Sequence, residues 1–600
     1  MARTPAADPM MDDLARMRHS LAHVLAQAVL KLWPGTQITI GPPIDTGCYY
    51  DFLFPKPISV DNFGKIEKEM QRILKEGQTF RCDRLSPAEA KKFWKERGQP
   101  FKVELIEDLE KNEGVTEVTH YANVNEKGEE RFVDLCRGGH VENVRDIPAD
   151  CFKLVNLAGA YWRGDEQREQ LTRIYVAAFA SKADLDAHLA MLEEAKRRDH
   201  RKLGKELDLF TFSELVGPGL PLWTPRGTLL RNLLDNFVWE LRAARGYQRV
   251  TIPHITKKEL YETSGHWQKF ASELFHIHTR EGHEFCMKPM NCPHHTQIFA
   301  CQPRSYRDLP QRYAETTTCY RDEQTGELHG LSRVRAFTQD DAHVFCRPQQ
   351  AKDEILKIWE IVDTFYETVG FGKLKVRLSL HDPEAFDKYL GTPDMWKKAE
   401  GELRDIAVAR HADFFEAPGE AAFYGPKVDF IARDAIGRDW QVATIQLDIN
   451  MPERFDLFCT NEKGEKERIV MIHAAIMGSL ERFLSIFIEH HAGLFPLWCA
   501  PVQAVVVPVA EPHETYGFEV AKLLRSRGLR VEVMDSSESL GKRVREAEKQ
   551  KVPYVLVLGD KEVGEKSIAV RNVATKEQAT VELEKFVEGM VGDVASRRIA

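Results

Sequence analysis

The chain has no apolar run approaching the ~20 residues that a membrane-crossing helix needs. Its first residues, MARTPAADPMMDD, lack the apolar centre of a secretion signal, so a cytoplasmic protein is expected, with no membrane partner. Cysteine is sparse: eleven are scattered over 600 residues with no C-x-x-C, which argues against a disulfide framework and for a reducing compartment, leaving room for an isolated metal ligand. Positive charge is not in excess. A net charge of −9 argues against gripping nucleic acid by bulk charge, although a local basic face remains open. Also missing are internal repeats, a G-x-G-x-x-G opening a helix after a strand, and a G-x-x-x-x-G-K-[ST] loop, so any nucleotide must be held without a glycine-rich cradle.

What is present is ordinary for a globular protein, 43% hydrophobic and 29% charged residues, in a length that calls for roughly three to five domains. The most informative stretch runs from Thr316 to Cys346. A β-rich run ending at Tyr320, a turn around Gln324-Thr325-Gly326 and a second run from near Leu331 read as two antiparallel strands joined by a loop. Alternation puts Arg333, Arg335, Phe337, Gln339, Asp341 and His343 on one face, and Val334, Ala336 and Ala342 on the other. Arg321 and Glu323 can reach the same space. Planar guanidiniums match phosphate oxygens, and a carboxylate matches a cation, so this face suits a nucleotide phosphate, an ammonium group and a metal. A solvated charged hairpin is the plain alternative.

Arg321-Asp322-Glu323, the loop, and Arg333 through His343 resemble the second signature motif of class II aminoacyl-tRNA synthetases, in the form carried by the bacterial threonyl enzymes. The resemblance extends over nearly the whole chain. It implies an α+β multidomain protein: an antiparallel-sheet catalytic core, an α+β editing domain and a C-terminal α/β anticodon-binding domain. The expected boundaries are a tail at 1–12, the editing domain at 13–183, an exposed basic linker helix at 184–206, the core at 207–497 and the anticodon-binding domain at 498–600.

A first helix is expected from about Asp13 to Trp33, stopping at Pro34-Gly35. Leu14, Met17, Leu21, Val24, Ala28 and Leu32 form its apolar stripe, and His19 and His23 lie roughly opposite. Downstream, Cys136 and His140 stand four residues apart. By ligand type these four groups could bind zinc; surface histidines are the alternative. H-x-x-x-H followed by C-x-x-x-H resembles the editing domain of threonyl- and alanyl-tRNA synthetases, and IGPPIDTGCYYD from Ile40 and GAYWRGD from Gly159 also fit it. The resemblance implies metal-free hydrolysis of seryl-tRNA by His19, His23, Lys102, Asp134, Cys136 and His140. Gly139 stands where the family usually has proline, which is expected to loosen the loop. With about a dozen residues before the first helix, the small β-rich domain that commonly precedes this one is expected to be absent. In the linker helix, Lys196, Arg197, Arg198, Arg201, Lys202 and Lys205 are a solvated face or a contact for a tRNA backbone.

In the core, Arg249-Val250-Thr251-Ile252-Pro253 resembles the first signature motif, implying a homodimer, and Gly478 to Phe483 resembles the third, with Arg482 set against ATP opposite Arg321. Cys292, His343 and His473 match the family's three zinc ligands, at separations of 51 and 130 residues unlike any zinc finger. Three protein ligands leave a position open, as a functional zinc requires. An apolar pocket separates threonine from isosteric valine by only about 100-fold, whereas zinc binding both amine and hydroxyl rejects valine. Serine keeps the hydroxyl and leaks through, which is why one chain would carry both sites.

The remaining roles come from the resemblance. Arg321 would neutralise the α-phosphate, Glu323 meet adenine and Arg333 the γ-phosphate, with Phe337 and Gln441 lining the nucleotide site. Asp341 would accept from the substrate hydroxyl, Tyr424 face the amine, and Gln339 and Lys427 hold the carboxylate and α-phosphate. Gln446 would line the amino-acid site, and His266 assist transfer to the tRNA. His294 and Ala474 depart from the usual Gly and Arg beside the zinc ligands. After Pro496 the strands and helices alternate regularly, a small α/β domain resembling the anticodon-binding domain, with Glu562 and Arg571 at its anticodon-contacting positions. Ser536 and Ser537 replace a usual Arg and Asn there. The expected activity is threonine–tRNA ligation with editing of seryl-tRNA(Thr), one zinc per subunit, and Mg²⁺ with ATP. A non-catalytic tRNA-binding or regulatory paralogue is the alternative from another class; prolyl-tRNA synthetase is the rival within the class.

Overall fold

The computed structural model describes residues 11–165 and 167–598, which form two compact units, 1–193 and 194–600.

In the first unit, helix Asp13–Leu32 begins at an Asp12 cap whose carboxylate accepts from the Ala15 N–H at 2.7 Å, and ends before Pro34, which cannot continue it. The one-sided stripe needs correcting. Met17, Arg18 and every residue from Ser20 to Val29 are buried, because helix Phe63–Glu76, strand Gly47–Leu53 and strand Glu130–Leu135 all pack on it. His23, opposite the stripe, is therefore interior. A five-stranded sheet and a three-stranded antiparallel sheet, Thr79–Leu85, Val118–Val124 and Glu130–Leu135, complete the unit. The expected single helix at 184–206 is two, Lys182–Arg198 and His200–Glu206. Asp199 breaks them, its side chain capping the second by accepting from the Arg201 N–H at 2.8 Å.

The second unit is built on an eight-stranded sheet in the order Gln248–Arg249, Gln311–Tyr320, Ala336–Cys346, Val470–Ser479, Asp439–Asp448, Lys427–Arg433, Lys375–Leu380, Phe414–Pro418. Most neighbours are antiparallel; the edge pairs Gln248–Arg249 with Gln311–Tyr320 and Lys375–Leu380 with Phe414–Pro418 are parallel. Helices Pro225–Ala243, Ala351–Thr368 and Leu480–His491 contribute the apolar residues that, with those of the sheet, make the largest core. The second signature strand starts at Ala336 rather than near Leu331. Residues 329–335 form a tight turn instead, closed by the Arg333 N–H donating to the His329 carbonyl and the Arg335 N–H to the Gly219 carbonyl.

The C-terminal region is a five-stranded sheet ordered Val531–Val533, Ala504–Pro508, Tyr554–Leu558, Ser567–Asn572, Gln578–Glu582, its first three strands parallel. Among the described residues no helix is long and apolar enough to cross a membrane.

Candidate active site

Strand pairing decides what the catalytic face displays. Gln311–Tyr320 and Ala336–Cys346 stay in uninterrupted register, so Phe337, Gln339, Asp341 and His343 emerge on one face, opposite Cys319, Thr317, Glu315 and Tyr313. Arg321, just past the first strand, lies with its guanidinium over two rings, 5.0 Å from Phe337 and 5.7 Å from Phe270, and its Nε is buried without a hydrogen-bond partner. A cation held by aromatic walls, with a donor unspent, is arranged to take an anion. Arg333 is differently placed. It donates to the Glu323 carboxylate at 2.8 Å and to Glu327 at 2.9 Å, so the side chains expected to meet γ-phosphate and adenine pair with each other here. Arg482 stands exposed in the first turn of helix Leu480–His491, whose Ser479 hydroxyl accepts from the Arg482 N–H.

Three expected metal ligands converge. Cys292 opens a helix, and His343 and His473 are directly paired across neighbouring strands; their ligand atoms lie within 4.8 Å of one another. His343 Nε2 is 3.1 Å from His473 Nδ1. The outer nitrogens are engaged elsewhere: His473 Nε2 donates to Asp448 at 2.9 Å, and His343 Nδ1 is 2.7 Å from His295 Nδ1. Two lone pairs and a thiol therefore face one another, a donor set that fits zinc. Burial pushes the His343 imidazole well below its usual range and the Cys292 thiol well above its own. Asp341 sits beside this group, accepting from Asn291 Nδ2 at 3.1 Å, with its other oxygen 3.7 Å from His343.

The neighbouring strands complete the face. Lys427 and Gln446 are register partners, and Gln446 donates to the Gly425 carbonyl. The buried Tyr424 ring is 5.3 Å from His473. His266, fully buried, contacts the Ser264 hydroxyl at 2.8 Å and lies 4.0 Å from the Cys292 sulfur. Burial, aided by nearby His473, Arg321 and Arg454, lowers its pKa to about 3, so it is neutral at pH 7 and suited to hydrogen bonding rather than to holding a proton.

The sequence reading missed several supporting groups. Asp429, fully buried, accepts from Gln441 and Ser379, pairs with Arg377 and Lys427, and also accepts from Thr444. It thus holds two of the expected substrate contacts, and its place two residues after Lys427 on one strand was the available signal. Asp448, His295 and Glu315 had no such signal. Ala474 turns away from the zinc-facing side into the apolar core, so the missing arginine leaves the ligand face untouched. Arg242 reaches that side, donating to the Ala474 carbonyl and to Asp340, whose carboxyl burial raises to about 7. His294 is buried, and neither ring nitrogen has a hydrogen-bond partner.

The first unit gathers the second cluster. The Cys136 sulfur is 3.4 Å from His19 Nε2 and 3.3 Å from His140 Nε2, and accepts from the Gly138 N–H. Ser20 Oγ donates to the Arg16 carbonyl, so at 3.3 Å it must accept from His140 Nδ1, leaving the His140 Nε2 lone pair toward the thiol. Tyr50 donates to Asp134 at 2.6 Å, Lys102 forms a short ion pair with the same carboxylate, and His23 Nε2 is 3.9 Å from it. Burial raises the Cys136 thiol to about 12 and lowers His19, His23 and His140, so the cluster is neutral at pH 7: bases and a thiol, without a thiolate. The four ligand atoms lie close enough for a metal as well. Gly138 and Gly139 have φ of +94° and +85°, which proline could not adopt, so the loop differs in path as well as stiffness from one with proline there.

Glu562 and Arg571 are each engaged by another partner. Glu562 caps its own helix by accepting from the Gly559 N–H, and Arg571 pairs with Glu548 at 2.6 Å. Ser536 donates from both N–H and hydroxyl to Glu514, and Ser537 donates to Asp535. Phe212, Leu215, Val216 and Leu222, close together in the chain, are each exposed apolar side chains, Leu215 being 100% exposed.

Residues 275–491 match the family "tRNA synthetase class II core domain (G, H, P, S and T)", 503–592 match "Anticodon binding domain", and 124–175 match "Threonyl and Alanyl tRNA synthetase second additional domain". The chain is 45% identical to a threonine–tRNA ligase of Cytophaga hutchinsonii over 96% of its own length and 88% of the relative's. It is 45% identical to that of Thermosynechococcus vestitus, over 97% and 96%. A crystal structure of the RNA binding domain of threonyl-tRNA synthetase from Cryptosporidium parvum superposes with a TM-score of 0.62 at 35% identity, covering 67% of this chain and 99% of that one.

Proposed function

The chain belongs to the threonine–tRNA ligase family, and we propose that its 207–497 core makes threonyl-adenylate and then threonyl-tRNA(Thr), while 13–183 hydrolyses seryl-tRNA(Thr). The observation that carries the reading is the convergence of Cys292, His343 and His473 beside Asp341 on the face that also bears Arg321. Cys292, His343 and His473 would hold zinc, which would supply a Lewis-acid position for the amine and hydroxyl of threonine. Asp341 accepts the hydroxyl's hydrogen bond, and Tyr424 faces the amine. Gln339 and Lys427, the latter steadied by Asp429, orient the carboxylate for in-line attack at the α-phosphorus of Mg²⁺-bound ATP. Arg321 offsets the charge that develops there, and adenine stacks along Phe337. Arg333 leaves Glu323 for the γ-phosphate, freeing Glu323 for adenine, while Arg482 and Gln441 close the nucleotide site. Pyrophosphate departs as the adenylate forms; the tRNA hydroxyl then attacks the adenylate's carbonyl carbon, the bond to phosphate breaks, and AMP leaves carrying the charge and able to take up the hydroxyl proton, while His266, neutral and buried, positions the attacking hydroxyl.

In the editing unit His19, His23, Asp134 and Lys102 orient water on the seryl ester, with Cys136 and His140 completing the pocket without metal. Helices in 184–206 contact tRNA, and 498–600, through Glu562 and Arg571, meets the anticodon. The eleven free cysteines favour the reducing cytoplasm.

One measurement tests the centre. The purified chain is expected to hold one zinc and to catalyse ATP–pyrophosphate exchange with threonine but not valine, and Cys292→Ala to lose both metal and exchange. Full zinc and full activity in that variant, or no zinc in the parent, would refute it. A second concerns assembly. The apolar group around Leu215 is suited to a homodimer interface, so Leu215→Glu with Phe212→Glu should halve the mass seen by sedimentation at micromolar protein. An unchanged mass would refute this interface.

A further inference from the structure

The imidazole of His343 is held from behind by a side chain that the catalytic reading does not use. His295 Nδ1 lies 2.7 Å from His343 Nδ1. One of these nitrogens must carry the proton. His343 Nε2 faces the metal position and must present a lone pair there, so in the neutral ring the proton sits on Nδ1 and is donated to His295. His295 Nδ1 is then an acceptor, and its own proton lies on Nε2. That atom is buried with no hydrogen-bond partner, and so is Glu315 Oε2, 3.9 Å away. The second oxygen of Glu315 accepts from the Ile252 N–H at 3.2 Å, which ties the carboxylate to the segment ending in Pro253. Each proton position follows from the one before, and donation runs one way, from the metal-ligand imidazole to His295, whose own N–H is turned toward the Glu315 carboxylate across 3.9 Å, longer than a hydrogen bond.

We propose that His295 and Glu315 are positioning residues for the metal ligand His343, fixing its tautomer and ring orientation through a carboxylate–histidine–histidine relay. The other imidazole ligand has the shorter version, His473 Nε2 donating to Asp448 at 2.9 Å, while Asp448 is itself held by the Asn450 and Met451 N–H groups. Each histidine ligand therefore has a backbone-anchored carboxylate behind it, Asp448 hydrogen-bonded directly to His473 and Glu315 facing the far side of His295 at 3.9 Å. A histidine buried only for packing would have no reason to meet a second imidazole at hydrogen-bond distance and a carboxylate on its far side. Such outer partners are typically worth about 10- to 100-fold in metal affinity.

This inference rests on the zinc reading, and the test separates the two. Zinc content and zinc affinity, by competition with a chromophoric chelator, are measured on the full chain and on His295→Leu, His295→Asn and Glu315→Gln, with the thermal midpoint of each metal-free protein. Expected are a fall of about 10- to 100-fold in affinity for His295→Leu, a smaller fall for Glu315→Gln, and recovery to within a few-fold in His295→Asn, whose carbonyl can accept from His343 Nδ1. Cobalt(II)-loaded His295→Leu should also show a shifted visible spectrum. Zinc affinity equal to the parent's in all three variants, or lowered metal-free midpoints with unaltered affinity, would overturn the relay while leaving the zinc reading intact. A parent chain that binds no zinc would overturn both.

Discussion

Replacing His19 and His23 together by alanine is expected to leave threonine activation at the parent rate while seryl-tRNA(Thr) accumulates. His19 and His23 belong to one compact unit and the residues assigned to adenylate chemistry to the other, so the substitution removes none of the groups that activation uses. Serine is smaller than threonine and keeps the hydroxyl that Asp341 is set to recognise. The core can therefore reject it only by the lost methyl, worth about 10- to 200-fold. Without editing that residual factor is the whole of the enzyme's accuracy against serine, and at equal serine and threonine the mischarged fraction should approach about one in 10 to 200. The buried cluster also carries structural weight: His23 contacts Phe80 and Phe132, and helix Asp13–Leu32 is enclosed. Seryl-tRNA formation and thermal midpoint must therefore be read on the same protein. A lowered midpoint with accurate product would sink the editing assignment.

Arg321→Ala should cost the exchange reaction more than any other single substitution outside the metal ligands. Its guanidinium has no carboxylate partner among the described residues, its Nε is unpaired, and its neighbours are the rings of Phe270 and Phe337. Folding therefore draws little from it, and catalysis can draw much. Loss of one preorganised donor to developing transition-state charge is typically worth about 10²- to 10³-fold in kcat. Threonine-dependent exchange should fall by about that factor with the thermal midpoint within about 2 °C of the parent. Arg321→Lys should recover little, because a point charge does not reproduce a planar fork lodged between two rings. A variant in which only the KM for ATP rises would show that Arg321 binds ground and transition states alike, against the role assigned to it.

The contrast between Arg321 and Arg333 shows how far residues can be read from order alone. Both stand in one motif, and both are cations suited to phosphate. Alternation along a strand correctly put Phe337, Gln339, Asp341 and His343 on one face because the register between Gln311–Tyr320 and Ala336–Cys346 is unbroken. It misplaced the start of that strand, since the turn at 329–335 is closed by Gly219, more than a hundred residues earlier in the chain. It also had no means of seeing that Arg333 spends its donors on Glu323 and Glu327. The linker failed in the same way: composition reads as one exposed helix, yet His200 is buried, donating to Glu489 and accepting from the Leu331 N–H.

By itself the sequence determined which chemical groups are available, where the first helix runs, and, through its motifs, which family the chain belongs to. These depend on local periodicity, on Pro and Gly as stops, and on short runs of side chains. Tertiary structure alone decided that Asp429 steadies Gln441 and Lys427, that Arg242 reaches Asp340 behind the catalytic face, and that His295 and Glu315 stand behind His343. Each of these buries a polar or charged group, and such burial is tolerable only where a partner meets it. That partner comes from another element of the fold or from the neighbouring strand, so its identity is set by how the elements pack, which no local pattern records.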